Sequence, residues 1–351
     1  MFYDLNIRDF FYMENNMNET HKLIVVGDIH LQNKEPKKSN AIDTLNWIFD
    51  NKELNNKNNS LLFLGDMCEV NSPFELYGIF VDLFTNKSSF AKVWIVQGNH
   101  DCINMSSVLS LFAPLKNVEV IQEWKIIDFY NTKILTLPFY SHEGVANKQP
   151  MTEVYSNLYK NEELMNLEID YCCGHLESDR CHFSKKYCDL SKLTNVKHFL
   201  HGHIHNCDID KGYLGSACAN SVAERNIDKK IAIIDGETKE CEFVTLPKFM
   251  EYYTVEYPNK LEKPKTKYAI FMVKNVLDKN VALEEYSKQA KEMGFEFYTN
   301  KVLKQRVTEV EIDDDLEKSE KPTFEKFAKS VGLSNEVFDI CNEVIRLKSE
   351  E

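Results

Sequence analysis

Short apolar runs closed by glycine set the rhythm of the first two hundred residues. Runs at 21–26, 61–64, 94–96, 169–173 and 196–200 are three to six residues long and draw largely on apolar residues. They are too short for amphipathic helices and read as buried strands. Between them the spacing changes. Ile42, Leu45, Ile48 and Phe49 predict a helix over 41–50, and Phe74, Tyr77, Phe80, Val81 and Phe84 predict another over 73–84. The Asn- and Lys-rich piece 51–60 is a solvated loop, and 105–115 reads as a short helix. Further strands are expected at 118–121, 125–129, 133–137, 213–214, 231–235 and 242–246, with helical or loop character at 155–165. The order β-α-β-α-β followed by several strands predicts an α/β fold of two β-sheets packed face to face with helices outside.

At 351 residues the chain is long for one domain. A hinge at 247–250 separates the first domain, 21–248, from a small α/β capping domain at 252–312. The latter is expected to hold strands at 252–257, 267–273, 296–298 and 307–312 and a helix at 282–293. A charged linker, 313–321, leads to two short amphipathic C-terminal helices, 322–331 and 335–348, within the terminal piece 322–351. Their apolar residues, Phe324, Phe327, Val337, Ile340 and Val344 among them, suit either a partner or the chain's own body. Residues 1–20 read as a leader with no long apolar run, and no stretch is apolar enough for a membrane span.

Composition narrows the setting. With 42 basic and 55 acidic residues the formal charge is −13, which argues against a stand-alone nucleic-acid binder unless metals, a local patch or a partner supply attraction. Ten scattered cysteines without a Cys-x-x-Cys pair exclude a zinc knuckle and fit a reducing cytoplasm, the host's if the chain is viral.

Candidate chemistry lies where the strands end. Gly27-Asp28-Ile29-His30, Gly65-Asp66, Gly98-Asn99-His100-Asp101, Gly174-His175 and Gly202-His203-Ile204-His205 share one grammar: buried strand, glycine, metal-capable side chain. Ligands in open sheets bind outside the carboxyl ends of strands. Asp28, His30, Asp66, Asn99, His175, His203 and His205 together point to a dinuclear metal site. Mixed oxygen and imidazole donors suit manganese, iron or zinc better than magnesium or calcium. Two such cations need a bridging carboxylate, for which Asp66 on the central strand is best placed, and they clamp the attacking and leaving oxygens of a phosphoryl group. His100 sits beside a ligand with its ring free for substrate, and Asp101 is expected to orient that ring and hold it protonated.

This order of motifs resembles the signature of calcineurin-like metallophosphoesterases. The resemblance implies one metal on Asp28, His30 and His205, a second on Asn99, His175 and His203, Asp66 shared, and His100 protonating the leaving oxygen. The segment Tyr213-Leu214-Gly215-Ser216-Ala217 with Glu224, then 229–238 and Glu242-Phe243, is similar to the SbcD and meiotic-recombination-eleven DNA repair nucleases and to phage recombination endonuclease subunits. It implies two Mn2+ ions, DNA as substrate, a homodimer through helices near 74–84 and 104–113, and C-terminal helices gripping an SbcC-like ABC ATPase. One position departs: those nucleases carry histidine three residues after the bridging Asp, where this chain has Glu69. A carboxylate there repels phosphate unless protonated or metal-bound. A metallophosphodiesterase acting on a nucleotide or other small diester, and an inactive phosphoesterase-fold scaffold, are the alternatives.

Overall fold

The computed structural model describes residues 20–70, 72–103, 106–140, 151–180, 188–274 and 279–298. In chain order the strands are β1 Lys22–Val26, β2 Ser60–Phe63, β3 Val93–Val96, β4 Cys102–Ile103, β5 Ser106–Ser107, β6 Val118–Ile121, β7 Lys125–Phe129 and β8 Thr132–Leu137. They continue with β9 Ile169–His175, β10 Val196–Gly202, β11 Lys230–Asp235, β12 Cys241–Thr245, β13 Met250–Glu256 and β14 Tyr268–Lys274. The helices are α1 Lys37–Asp50, α2 Phe74–Asp82, α3 Met151–Tyr159, α4 Glu162–Met165 and α5 Lys279–Glu292.

One sheet has the order β12-β11-β1-β2-β3-β6 and the other β10-β9-β8-β7. β1, β2, β3 and β6 run parallel, as do β8, β9 and β10. Parallel strands buried on both faces read as unbroken apolar runs, which is why alternation was not needed to find them. In β1, Ile24 and Val26 face the α1 and α2 side with Leu45, Phe49 and Phe80, while Leu23 and Val25 face the second sheet with Ile134, Tyr171 and Leu200. A further apolar cluster, including Leu137, Tyr155, Leu158 and Leu164, seals the outer face of the second sheet under α3 and α4. The fold is therefore mixed α/β, two sheets flanked by helices.

Local departures have local causes. α1 starts at Lys37 rather than 41, its first turn carrying the polar residues Lys37, Lys38, Ser39 and buried Asn40, which the apolar spacing does not register. The segment near Tyr213 pairs only through isolated bridges with His201 and Asp208, since Gly212 and Gly215 on either side take positive φ. Residues 296–298 form no strand, although Phe271 N–H donates to the Tyr298 carbonyl at 3.0 Å. β13 and β14 pair in parallel and close with α5 over a core of Leu261, Phe271, Val273 and Tyr286. The expected strand at 307–312 and helices at 322–331 and 335–348 lie outside the described residues. Among the described residues no helix is long and apolar enough to cross a membrane.

Candidate metal centre

The loops after β1, β2, β3, β9 and β10 converge on one point. Ile29 and His30 N–H both donate to the Asp66 carbonyl, at 3.2 and 2.9 Å, which stitches the first loop to the second. His30, Asp66 and His203 take positive φ of 49°, 48° and 75°. Such backbone costs about 1–3 kcal/mol per residue and persists only where its surroundings fix it. Close approach is enforced by glycine: a Cβ on Gly98 would lie 2.2 Å from Asp66 Oδ1, and one on Gly202 2.2 Å from Asp28 Oδ1.

Asp101 supplies much of that fixing. Its carboxylate is buried and accepts from the N–H groups of Asp66 (2.8 Å), Gly98 (2.8 Å) and Met67 (3.1 Å). Burial and the nearby Asp66 charge push its carboxyl up to about 7. The expected pairing of Asp101 with the His100 ring is not made: the side chain points back into the loop junction, where the backbone donors lie. Glu69 takes that place instead, 2.7 Å from His100 Nδ1. Both the Glu69 carboxylate and, at 3.2 Å, the Val70 N–H meet Nδ1, which leaves Nε2 facing the centre, 3.9 Å from Asp66 Oδ2. Burial lowers the His100 pKa, but the Glu69 hydrogen bond and the Asp66 charge outweigh it and the net direction is up.

The seven expected ligands gather in two linked groups. In one, Asp28, His30 and His205 offer atoms within 4.8 Å of one another. His30 Nε2 lies 2.9 Å from His205 Nε2, and His205 Nε2 lies 3.8 Å from Asp28 Oδ2. In the other, Asn99 Oδ1 lies 2.8 Å from His175 Nε2 and 2.9 Å from His203 Nδ1. Asp66 Oδ2 stands between them, 3.4 Å from His30 Nε2 and 3.4 Å from His175 Nε2. Asp28, Asp66 and His175 also form a group within the same limit, as do His30, Glu69 and His100.

The residues fit divalent cations. Asp28 Oδ1 and His30 Nδ1 are buried without a hydrogen-bond partner, a costly state for polar atoms. Two carboxylates share one buried pocket: burial and Asp66 push Asp28 up to about 6, while Asp66 is held low, against burial, by His175, His30 and His100. The outward nitrogens of His175, His203 and His205 have acceptors that fix the rings, as metal-binding histidines require. His175 Nδ1 donates to the Leu64 carbonyl (2.8 Å), His205 Nδ1 to Glu224 (3.0 Å), and His203 Nε2 meets Glu177 (3.2 Å). Burial brings His203 down to about 3 and His30 to about 4, so both are neutral and free to ligate near neutral pH.

Sequence reasoning did not give Glu177 a role and read Glu69 only as a departure. A weak signal existed for Glu177, two residues after His175 at the end of a strand and so on the same side. For Glu69 the helpful sign was its three-residue offset from Asp66.

A search of curated proteins returned no match. Among solved structures, an archaeal phosphodiesterase is 12% identical with a TM-score of 0.34, covering 64% of this chain and 99% of its own. A protein of unknown function from Aquifex aeolicus is 15% identical with a TM-score of 0.29, covering 53% and 80%. The family described as calcineurin-like phosphoesterase matches residues 21–207, more than half of the chain and all seven gathered donors. The chain belongs to the calcineurin-like phosphoesterase family.

Proposed function

We propose that this metal-dependent phosphoester hydrolase is a manganese-dependent DNA phosphodiesterase, an exonuclease and endonuclease subunit of an SbcCD-like repair or recombination complex. The observation that carries phosphodiester chemistry is Asp66 Oδ2 at 3.4 Å from one histidine of each ligand group, the position of a bridging carboxylate. Asp28, His30 and His205 would hold one cation and Asn99, His175 and His203 the other. Divalent cations there supply Lewis-acid charge at the phosphoryl oxygens. His100, with Nε2 facing the centre and its charged form favoured by the Glu69 and Asp66 carboxylates, would donate its Nε2 proton to the leaving oxygen. Asp101 keeps the loops carrying Asp66 and Asn99 in register.

DNA as substrate is supported by the Gly215-Ser216 and Glu224 segment resembling SbcD-type nucleases. A charge of −13 fits a complex in which an SbcC-like ATPase brings much of the DNA-binding surface, held by the C-terminal segment 322–351. Homodimerisation through the 74–84 and 104–113 region is supported by Phe74, 68% exposed at the start of α2, and by Leu111, 43% exposed. One observation favours a second reading, a nucleotide or other small diester as substrate: the half-exposed Glu69 carboxylate beside His100 disfavours a polyanionic strand.

The test is degradation of an end-labelled linear duplex by the purified chain with Mn2+, beside His100→Ala. Ladders that vanish in the variant are the expected result. Intact duplex, with or without an added SbcC-like ATPase, alongside turnover of a small phosphodiester would overturn the DNA reading in favour of the second.

A further inference from the structure

Glu224 lies in the short turn Val222–Glu224, outside the gathered ligands, yet it is almost fully buried. Its Oε1 accepts from His205 Nδ1 at 3.0 Å. Its Oε2 accepts from Lys229 Nζ (2.6 Å), Ser216 Oγ (2.9 Å) and the Asn220 N–H (3.2 Å). Lys229 Nζ also donates to the His205 carbonyl (3.1 Å) and to Ser216 Oγ (2.8 Å), so one ammonium holds both the backbone of His205 and the carboxylate that orients its ring. A buried ion pair with one partner removed leaves an uncompensated charge, so Glu224 and Lys229 act as a unit.

The other histidines of the centre are fixed differently, His175 by the Leu64 carbonyl and His203 by Glu177. We infer that Glu224, backed by Lys229 and Ser216, is a positioning residue for His205 that sets the affinity of the cation position shared by Asp28, His30 and His205, leaving the Asn99, His175 and His203 position largely unaffected. The reason is tautomer and aim. With Nδ1–H committed to Glu224, the Nε2 lone pair of His205 is the one presented toward Asp28 and His30. A carboxylate acceptor also makes that lone pair a stronger donor than a carbonyl would. This inference rests on the metallophosphoesterase reading.

The experiment is titration of the chelator-stripped full-length chain with Mn2+, followed by calorimetry and by the paramagnetic resonance signal of unbound Mn2+. Wild type is expected to bind two ions. Glu224→Gln is expected to keep one at unchanged affinity and to bind the second about 10–100-fold more weakly, the range seen when such an acceptor is lost. Should that variant fail to fold by circular dichroism, Ser216→Ala leaves both charges in place and is expected to weaken the same position by a smaller factor. Two unchanged affinities in the folded variants, or equal weakening of both positions, would overturn the inference alone. Wild-type chain that binds no Mn2+ would overturn the metallophosphoesterase reading and this inference with it.

Discussion

At the scale of single residues, the centre is built from side chains whose partners are set by burial. The ligand types were legible because they gather within three residues of a glycine at the ends of apolar runs. Their partners were not legible. Asp101 and Glu69 both lie close to His100 in space or sequence, and only the fold decides that one faces backbone amides and the other the ring. His201 makes the same point. It carries no motif, yet it is fully buried between Phe199 and Tyr213, neither ring nitrogen is hydrogen-bonded, and burial lowers its pKa to about 3. Since the unfolded chain protonates this ring near 6.5 and the folded chain does not, stability is lost as pH falls from 6.5 toward 3. His201→Leu is expected to flatten the fall in unfolding free energy, from urea titrations over that window, by one proton's worth, about 1.4 kcal/mol per pH unit. Identical pH profiles for both proteins would contradict this.

Secondary-structure elements carry the residues to one place, and much of their order could be read from the chain. Parallel strands buried on both faces appear as largely apolar runs, so β1, β2, β3 and β9 stood out, whereas the edge strand β10, with Lys197 and His198 exposed, was marked by the glycine and histidines at its end. What pattern could not supply was the close approach of their terminal loops. At the end of β10, Gly202 leaves no room for a side chain: the added Cβ would sit 2.2 Å from Asp28 Oδ1 and 3.0 Å from the Leu64 carbonyl. Neither neighbour can yield cheaply, because Asp28 is held by the His203 N–H and Leu64 by the His175 ring. Gly202→Ala is expected to cost about 1–3 kcal/mol of stability, as overpacking does, and to weaken Mn2+ binding by displacing Asp28. Denaturant unfolding and metal titration check this together. A variant with unchanged midpoint and unchanged metal affinity would show that the loops are looser than the structure has them.

For the whole molecule, the centre is a cost in the free protein. Strained loop backbone, unpaired buried polar atoms and two carboxylates in one pocket all oppose folding, and bound cations would offset the last two. A ligand that binds only the folded chain stabilises it by about 2.7 kcal/mol at one hundred times its dissociation constant. Chelation is therefore expected to lower the melting temperature and excess Mn2+ to restore it. A melting curve indifferent to both would contradict the reading of the centre as a metal site. The strands β13 and β14 and the helix α5 were expected from sequence because the apolar pattern restarts after 247–250. The β13–β14–α5 layer indeed has its own apolar core.

The most direct test of the account is p-nitrophenolate release from bis(p-nitrophenyl) phosphate by the chelator-stripped chain as Mn2+ is added, beside Asp66→Asn. The account requires turnover that rises until two ions are bound per chain and is lost in the variant, because Asp66 stands between the two ligand groups. No turnover with two ions bound, or turnover that survives Asp66→Asn, would contradict it.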